Sequence, residues 1–191
     1  MLNIVIFGAP GSGKGTQSEK LSQKYGLEHV STGEMLRAEI EADTEFGRLA
    51  DSYISKGNLI PDEVMISKLN ELMEKRNGVK GFIFDGFPRT IAQGEALNTM
   101  MDYHDEKVTI VISLEVEEEE LINRILKRGE VSGRSDDNRE TVELRLKVYH
   151  KKTEPLKNFY KEQGKLEEVI GQGSVNEVFE TITTIIDKLI I

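Results

Sequence analysis

The sequence predicts an α/β protein in which a five-stranded parallel sheet lies between layers of helices, three layers in all. Three observations support this prediction. Strand-like apolar runs alternate with helical patterns along the 191 residues, and such alternation is typical of parallel sheets with right-handed crossovers. Two of the runs, 82–84 and 108–112, are almost continuously apolar, as expected for strands covered on both faces. A glycine-rich turn also joins the first strand to the first helix.

The elements follow one another in a regular order. Strands are expected at 2–7, 28–30, 81–85, 108–114 and 166–170. Helical patterns cover 16–25, 33–40, 62–75, 93–101, 117–127, 140–163 and 175–190. Pro155 should kink or divide the sixth of these helices, because proline lacks a backbone donor and clashes with the preceding turn. The four glutamates at 117–120 fit a solvated first helical turn, where the helix dipole favours acids.

The composition is that of one soluble globular domain that can carry small inserted lobes, with 38% hydrophobic and 31% charged residues. A net charge of −9 argues against non-specific binding to nucleic acids or anionic membranes. The absence of cysteine excludes disulfides and thiolate zinc sites. His29, His104 and His150 are far apart in sequence and are interpreted as bystanders. Without a long apolar segment or a basic leader, a cytoplasmic location is expected.

The most informative motif is the glycine-rich run at 8–16, GAPGSGKGT, directly after the first predicted strand. Its pattern G-x-x-x-x-G-K is typical of a P-loop, in which backbone N–H groups and a helix N-terminus surround phosphate while Lys14 adds a mobile charge. The alternative is an ordinary strand-to-helix turn, but the position between strand and helix favours phosphate binding. Gly15 follows the lysine where many P-loops have Ser or Thr, so a direct Mg²⁺ ligand from this loop is not expected.

A second group of charged residues predicts a second phosphate site. Asp85 ends an apolar strand, where an acid beside a phosphate loop usually holds Mg²⁺ directly or through water; capping of the next turn is the alternative. Arg89 follows on a turn stiffened by Pro88. Five more arginines lie on segments expected at the binding edge: Arg37, Arg124, Arg128, Arg134 and Arg145. Each alone could be a surface charge, but six of nine arginines in an acidic chain indicate an anion funnel.

Two segments are too irregular for simple crossovers. Residues 31–60 are long and contain their own helices, and residues 127–137 form a short, polar, charged loop between two helices. Both are expected to extend over the binding edge. One P-loop and a separate arginine set imply two phosphate-bearing ligands, and no Ser, Cys or His constellation suggests a covalent intermediate. Direct in-line transfer between the two ligands is therefore expected.

Five motifs occur in the order known from one family: GAPGSGKGT at 8–16, STGEMLR at 31–37, DGFPRT at 85–90, SGRSDD at 132–137 and TEPL at 153–156. On these motifs the whole chain resembles the nucleoside monophosphate kinases, and most closely the adenylate kinases of the short-lid type. The resemblance implies a core P-loop domain (1–30, 61–126 and 138–191), an AMP-binding lobe (31–60) and a short lid (127–137). The longer, zinc-binding lid of some bacterial members is absent, so no zinc is expected.

The resemblance also implies roles for individual residues. The ATP-binding set is Gly11, Ser12, Gly13, Lys14, Gly15, Thr16, Arg124, Arg128 and Gly173. The AMP-binding set is Thr32, Arg37, Asn58, Leu59, Ile60, Gly86, Phe87, Pro88, Arg89, Gln93, Arg134 and Arg145. The residues expected to act on the transferring group are Lys14, Arg89, Arg124, Arg134 and Arg145. Mg²⁺ would be held mainly by phosphates and water, with Asp85 as an outer-shell partner and no protein residue as a direct metal ligand.

The choice of substrate is less clear from the residues, because the lid SGRSDDNRE is also close to that of pyrimidine monophosphate kinases. Thr32 and Gln93 favour AMP in this family. A glutamine amide can accept from the adenine N6 amino group and donate to N1, but a flipped amide would suit guanine. The expected reaction is ATP + AMP ⇌ 2 ADP in a monomer. One alternative is a UMP/CMP kinase. The other is a regulatory nucleotide switch, but a switch would bind one nucleotide and would leave the second arginine set unexplained.

Overall fold

A computed structural model describes residues 1–74, 78–134 and 136–190 of the chain. Its five strands are β1 (Ile4–Gly8), β2 (Glu28–Ser31), β3 (Phe82–Asp85), β4 (Ile110–Glu115) and β5 (Leu166–Ile170). They form one parallel sheet in the order β2-β3-β1-β4-β5, in which Val5 of β1 lies between Phe84 and Val111. The predicted α/β fold and all five strands are confirmed, with ends displaced by at most two residues.

Helices connect the strands across both faces of the sheet. They are α1 (Lys14–Tyr25), α2 (Thr32–Glu41), α3 (Glu45–Ile54), α4 (Asp62–Glu74), α5 (Ile91–Tyr103), α6 (Glu118–Ser132), α7 (Arg139–Val148), α8 (Leu156–Glu162) and α9 (Val175–Asp187). A π-helical turn at Tyr149–Thr153 separates α7 from α8, so the predicted division of the long helix near Pro155 is confirmed. Lys75, expected to end α4, and Ser135 of the lid motif lie outside the described residues.

The core lies on both sides of the central strand because β1 alternates its side chains between the two faces. Val5 and Phe7 pack with residues of α4, α5 and α8, whereas Ile4 and Ile6 pack with residues of α1 and α9. All four side chains are buried. Burial of such side chains contributes about 1.5–3 kcal/mol each, which makes the sheet a rigid support for the loops at its carboxyl edge.

One predicted loop is wrong in part: 127–137 is not a loop throughout, because α6 continues to Ser132. The helix ends at Gly133, which has a left-handed φ of 64°. The earlier glycine, Gly129, does not break the helix but allows close packing, since a Cβ there would lie 2.5 Å from the carbonyl oxygen of Asp137. The irregular part of the lid in the described chain is therefore short: Arg128 lies on α6, and Arg134 follows the end of the helix.

Candidate active site

The carboxyl edge of the sheet brings the predicted functional segments together. β1 leads into the glycine-rich loop, β2 ends at Ser31 beside α2, and β3 ends at Asp85. β2 and β1 both pair with β3, on either side of it. Ligands of parallel α/β sheets bind at this edge because the loops after adjacent strands diverge there. The fold thus places Lys14, Asp85 and Arg89 around one space.

The glycine-rich loop has the backbone of an anion cradle. Gly11 and Gly13 have φ angles of 84° and 91°, in the left-handed region that favours glycine. A Cβ at Gly11 would lie 2.9 Å from the carbonyl oxygen of Leu121, whereas a Cβ at Gly13 would meet nothing within 4 Å. Gly13 precedes α1 without a side-chain cap, so the first N–H groups of this helix are available to a phosphate.

Lys14 is the first residue of α1 and faces the cavity enclosed by these segments. Burial and the nearby guanidinium groups of Arg89, Arg145 and Arg128 together lower the pKa of Lys14 to about 8, while Asp85 opposes the shift. Four cations around one small space repel one another. The site therefore favours a polyanion, whose binding would relieve this repulsion.

Asp85 is buried at the tip of β3 and balances part of this charge. Burial would raise its pKa, but His29 and Lys14 more than offset this effect and hold the pKa of Asp85 below its usual range. The Nε2 atom of His29 lies 3.7 Å from Oδ2 of Asp85, an ion-pair contact rather than a hydrogen bond. Despite its partial burial, His29 has a raised pKa, chiefly because of Asp85. His29 therefore lies beside the site through its contact with Asp85; that it is a bystander rather than a ligand or base stays a prediction.

The cavity itself is lined by eleven residues expected from the sequence: Lys14, Thr32, Arg37, Asn58, Leu59, Ile60, Gly86, Pro88, Arg89, Gln93 and Arg145. Apolar side chains that were not expected complete its wall, among them Leu36, Ile54 and Met65. The side chain of Phe87 packs in the core and is not among the lining residues. A space with guanidinium groups and an apolar wall suits a ligand that carries both a phosphate and a flat ring.

Two neighbouring arginines, Arg37 and Arg89, make part of this cavity positively charged. The Nε of Arg89 donates a 2.7 Å hydrogen bond to the carbonyl oxygen of Gly86, which fixes the direction of its guanidinium group. Burial lowers the pKa of Arg89, and Arg145 and Arg37 lower it further. Arg37 also has a pKa lowered chiefly by burial. Both side chains keep their charge at neutral pH because an arginine pKa lies far above 7, so this part of the cavity presents fixed positive charge.

Carboxylates of the lid hold Arg128 and Arg145 in place. Arg128 donates two hydrogen bonds of 2.7 Å to Asp137, whose side chain is fully buried. Arg145 donates to Asp137 at 3.1 Å and forms an ion pair with Asp136 at 2.8 Å. Burial lowers the pKa of Arg134, as do the neighbouring Arg37 and Arg128. The acids therefore position the arginines while leaving an excess of positive charge at the site.

Arg124 lies on α6 and is not among the residues that line the cavity. Its Nε donates to Glu120 at 2.7 Å, and its Nη1 donates to the carbonyl oxygen of Gly171 at 3.2 Å. This contact joins α6 to the segment after β5, which contains Gly173 with a φ of 111°. Arg124 and Gly173, both predicted near the ATP adenine, thus belong to neighbouring segments and lie outside the cavity described above.

Sequence reasoning missed four acidic or basic partners of the site: His29, Asp62, Asp136 and Asp137. Asp136 and Asp137 were included only as part of a lid motif. Their signal was the alternation of basic and acidic residues in KRGEVSGRSDD, which is typical of mutual pairing. Asp62 had no such signal, because its partners Thr90 and Gln93 are about thirty residues away in sequence.

A Mg²⁺ ion could be held here mainly by a ligand's own oxygens. A Cβ at Gly15 would lie 3.4 Å from Oδ2 of Asp85, so a hydroxyl-bearing residue would fit there, but glycine offers no ligand. Asp85 remains as a buried acceptor with a lowered pKa. Mg²⁺ accepts such sites, since it retains waters and binds through few carboxylates together with phosphates. Within residues 1–74, 78–134 and 136–190, no three His, Asp or Glu side chains cluster as a metal site.

Comparisons with known proteins agree with this geometry. The family model described as adenylate kinase matches residues 6–165. The adenylate kinase of Parabacteroides distasonis is 51% identical over 189 residues, covering 99% of this chain and 100% of that protein. The adenylate kinases of Bacteroides thetaiotaomicron and Porphyromonas gingivalis are both 53% identical, with at least 97% of each chain covered. None of the helices in the described ranges has the length and apolar character to cross a membrane. The chain belongs to the adenylate kinase family.

Proposed function

We propose that this site catalyses the reversible reaction ATP + AMP ⇌ 2 ADP by direct in-line transfer. The observation that carries the proposal is that Lys14 of the glycine-rich loop lines the same cavity as Arg89 and Arg145. The loop and its lysine suit the phosphates of ATP, and the arginines suit the phosphate of a second nucleotide. A protein that bound only one nucleotide would have no use for this second set of charges.

ATP would bind with its phosphates in the loop formed by Gly11, Ser12, Gly13, Gly15 and Thr16. We assign the adenine of ATP to the space between Arg124 and Gly173, with Arg128 near the phosphates. The contact between Arg124 and the carbonyl oxygen of Gly171 supports this assignment, since it places the arginine beside the segment that would hold the base.

AMP would occupy the cavity, with its phosphate between Arg37 and Arg89 and its base beside Gln93. Thr32, the segment 58–60, Gly86 and Pro88 would surround the rest of the nucleotide, with the apolar wall against the ring. This arrangement agrees with the sequence-based expectation, except that Phe87 would contribute only through its backbone.

The chemical step needs charge stabilisation rather than a covalent intermediate. An oxygen of the AMP phosphate forms a bond to the γ-phosphorus of ATP while the bond from that phosphorus to the β–γ bridging oxygen breaks. The acceptor oxygen is already anionic, so no general base is required. Lys14 would follow the migrating group, and Arg89, Arg124, Arg134 and Arg145 would neutralise charge that spreads over its oxygens.

Mg²⁺, when bound with ATP, supplies additional charge neutralisation at the β- and γ-phosphates. Asp85 would hold it through water, because this carboxylate stays ionised and Gly15 offers no competing hydroxyl. We assign no protein zinc site, since the chain has no cysteine.

Two segments would close over the nucleotides: the AMP lobe, 31–60, and the lid, 127–137. Arg37 of the AMP lobe lines the cavity, and Arg134 of the lid interacts electrostatically with Arg37. Closure would exclude water from the acceptor position and so prevent hydrolysis of ATP.

Since one chain supplies both nucleotide sites, we propose that it acts as a monomer. We also propose a cytoplasmic location, without nucleic-acid or membrane partners.

A coupled assay with ATP and each of the five common nucleoside monophosphates tests the proposed function. We expect AMP to be the preferred acceptor and the reaction to stop when Mg²⁺ is removed by chelation. A preference for UMP or CMP would favour a pyrimidine nucleotide kinase. ATP hydrolysis without transfer to any monophosphate would favour a regulatory switch.

A further inference from the structure

Asp62 lies behind Gln93, outside the cavity, at the first residue of α4. Its Oδ1 accepts a 2.8 Å hydrogen bond from Nε2 of Gln93, and its Oδ2 accepts a 2.9 Å bond from the Thr90 hydroxyl. The Thr90 hydroxyl in turn accepts from the backbone N–H of Gln93 at 3.2 Å. These hydrogen bonds link the first residue of α4 to the start of α5, and the Gln93 side chain takes part in the link.

The other end of the Gln93 amide is held by the backbone. The N–H of Arg89 donates a 2.8 Å hydrogen bond to Oε1 of Gln93. A backbone N–H can only donate and a carboxylate can only accept, so neither partner can reverse its role. A flipped amide would place its NH₂ group against the Arg89 N–H and its oxygen against the Asp62 carboxylate. Both contacts would be repulsive.

The orientation of this amide decides which base edge it can bind. After its bonds to Arg89 and Asp62, Gln93 retains one lone pair on Oε1 and one N–H on Nε2 for a ligand. Adenine presents an amino donor at C6 beside the N1 acceptor, which matches this order. Guanine and hypoxanthine present a carbonyl acceptor at C6 beside an N1–H donor, which matches only the flipped amide. With Gln93 2% exposed, water cannot readily compensate for such a mismatch.

We propose that Asp62 is a specificity-determining positioning residue, which selects adenine over 6-oxopurine monophosphates by fixing the orientation of the Gln93 amide. The proposal rests on the proposed function, because it takes AMP as the occupant of the cavity. The Arg89 N–H, which can only donate, and the Asp62 carboxylate, which can only accept, together determine which way the Gln93 amide faces. Asp62 touches neither the nucleotide nor the reacting phosphates.

The test is the ratio of kcat/KM for AMP to kcat/KM for IMP, measured in one enzyme preparation with saturating ATP and Mg²⁺. IMP differs from AMP only at the C6 and N1 positions that Gln93 would contact. In Asp62→Asn the new amide can donate to or accept from Gln93, so the flipped orientation loses one of its two penalties. We expect the ratio to fall about tenfold, in line with one hydrogen bond to a charged group. KM for AMP should rise while kcat with AMP changes little.

Glu63→Gln is the matched control, since it removes the same charge from the next, exposed residue of α4. The ratio cancels differences in the fraction of folded enzyme, so a general loss of stability cannot imitate the effect. An Asp62→Asn ratio equal to those of the wild type and Glu63→Gln would overturn the inference, as would parallel losses with AMP and IMP. A wild-type protein without activity toward AMP would contradict the proposed function itself.

Discussion

Lys14→Ala is expected to lower kcat by about 10³-fold while leaving the protein folded, because it removes the charge that follows the migrating phosphoryl group. Burial and three arginines lower the pKa of Lys14 to about 8 in the free protein. The folded state therefore binds this proton less tightly than the unfolded chain, so the charged lysine opposes folding at neutral pH. Its removal should not lower the melting temperature. The coupled assay and thermal unfolding at pH 7 measure the two effects.

Lys24→Ala is the control for this substitution. Lys24 lies on the same helix in an exposed ion pair with Asp187, of the kind that contributes little to stability.

The pH dependence gives a second readout: kcat/KM for ATP should fall as the pH rises through about 8, where Lys14 loses its proton in the free enzyme. Near-normal turnover of Lys14→Ala would contradict the assignment of the glycine-rich loop to ATP.

Arg89→Ala and Arg134→Ala are each expected to reduce the transfer rate by roughly 10³–10⁵, the range attributed to arginines that act on a transferring phosphoryl group. Arg89 lines the cavity, whereas Arg134 does not, and the hydrogen bond to the Gly86 carbonyl fixes the Arg89 guanidinium. Initial rates of ADP formation at saturating ATP and AMP provide the measurement. Arg89→Lys should recover only part of the loss, because a lysine cannot form two parallel hydrogen bonds to phosphate.

Arg48→Ala is the matched control for the arginine substitutions. The Arg48 side chain is 62% exposed and pairs with Asp43 at 3.0 Å on the outside of the AMP lobe. Its replacement should leave the rate almost unchanged. Arg76, a second arginine outside the motifs, lies outside the described residues. Losses of equal size in Arg48→Ala and Arg89→Ala would show that the arginines of the cavity have no special role.

The fold could be predicted closely because its signals are local. The apolar run at 82–84 and the glycine-rich turn after β1 each fix an element from neighbouring residues alone. The end of α6 could not be predicted in this way. Gly129 resembles a helix break in sequence, and only the approach of the Asp137 backbone explains a glycine within the helix.

The position of a residue at the candidate site was predictable where it depends on its neighbours in sequence, and not where it depends on contacts between distant segments. Asp85 stands out because it ends a buried strand, and Arg89 because it follows Pro88 on the turn after that strand. His29 approaches Asp85 only because β2 and β3 pair in parallel, with Ser31 opposite Asp85. The contact of Asp62 with Gln93 depends on how α4 packs against α5, which no local pattern specifies.

Hydrogen exchange with and without a compound that joins two adenosines through five phosphates tests the central claim, that both nucleotides meet in one site that closes around them. Protection should rise mainly in 31–60 and 127–137 and in the glycine-rich loop, while β1 and β4 change little. The lid has little core of its own, so ligand phosphates should supply most of its closed-state contacts. Protection of the glycine-rich loop alone, or lobes that are equally protected without ligand, would contradict the claim.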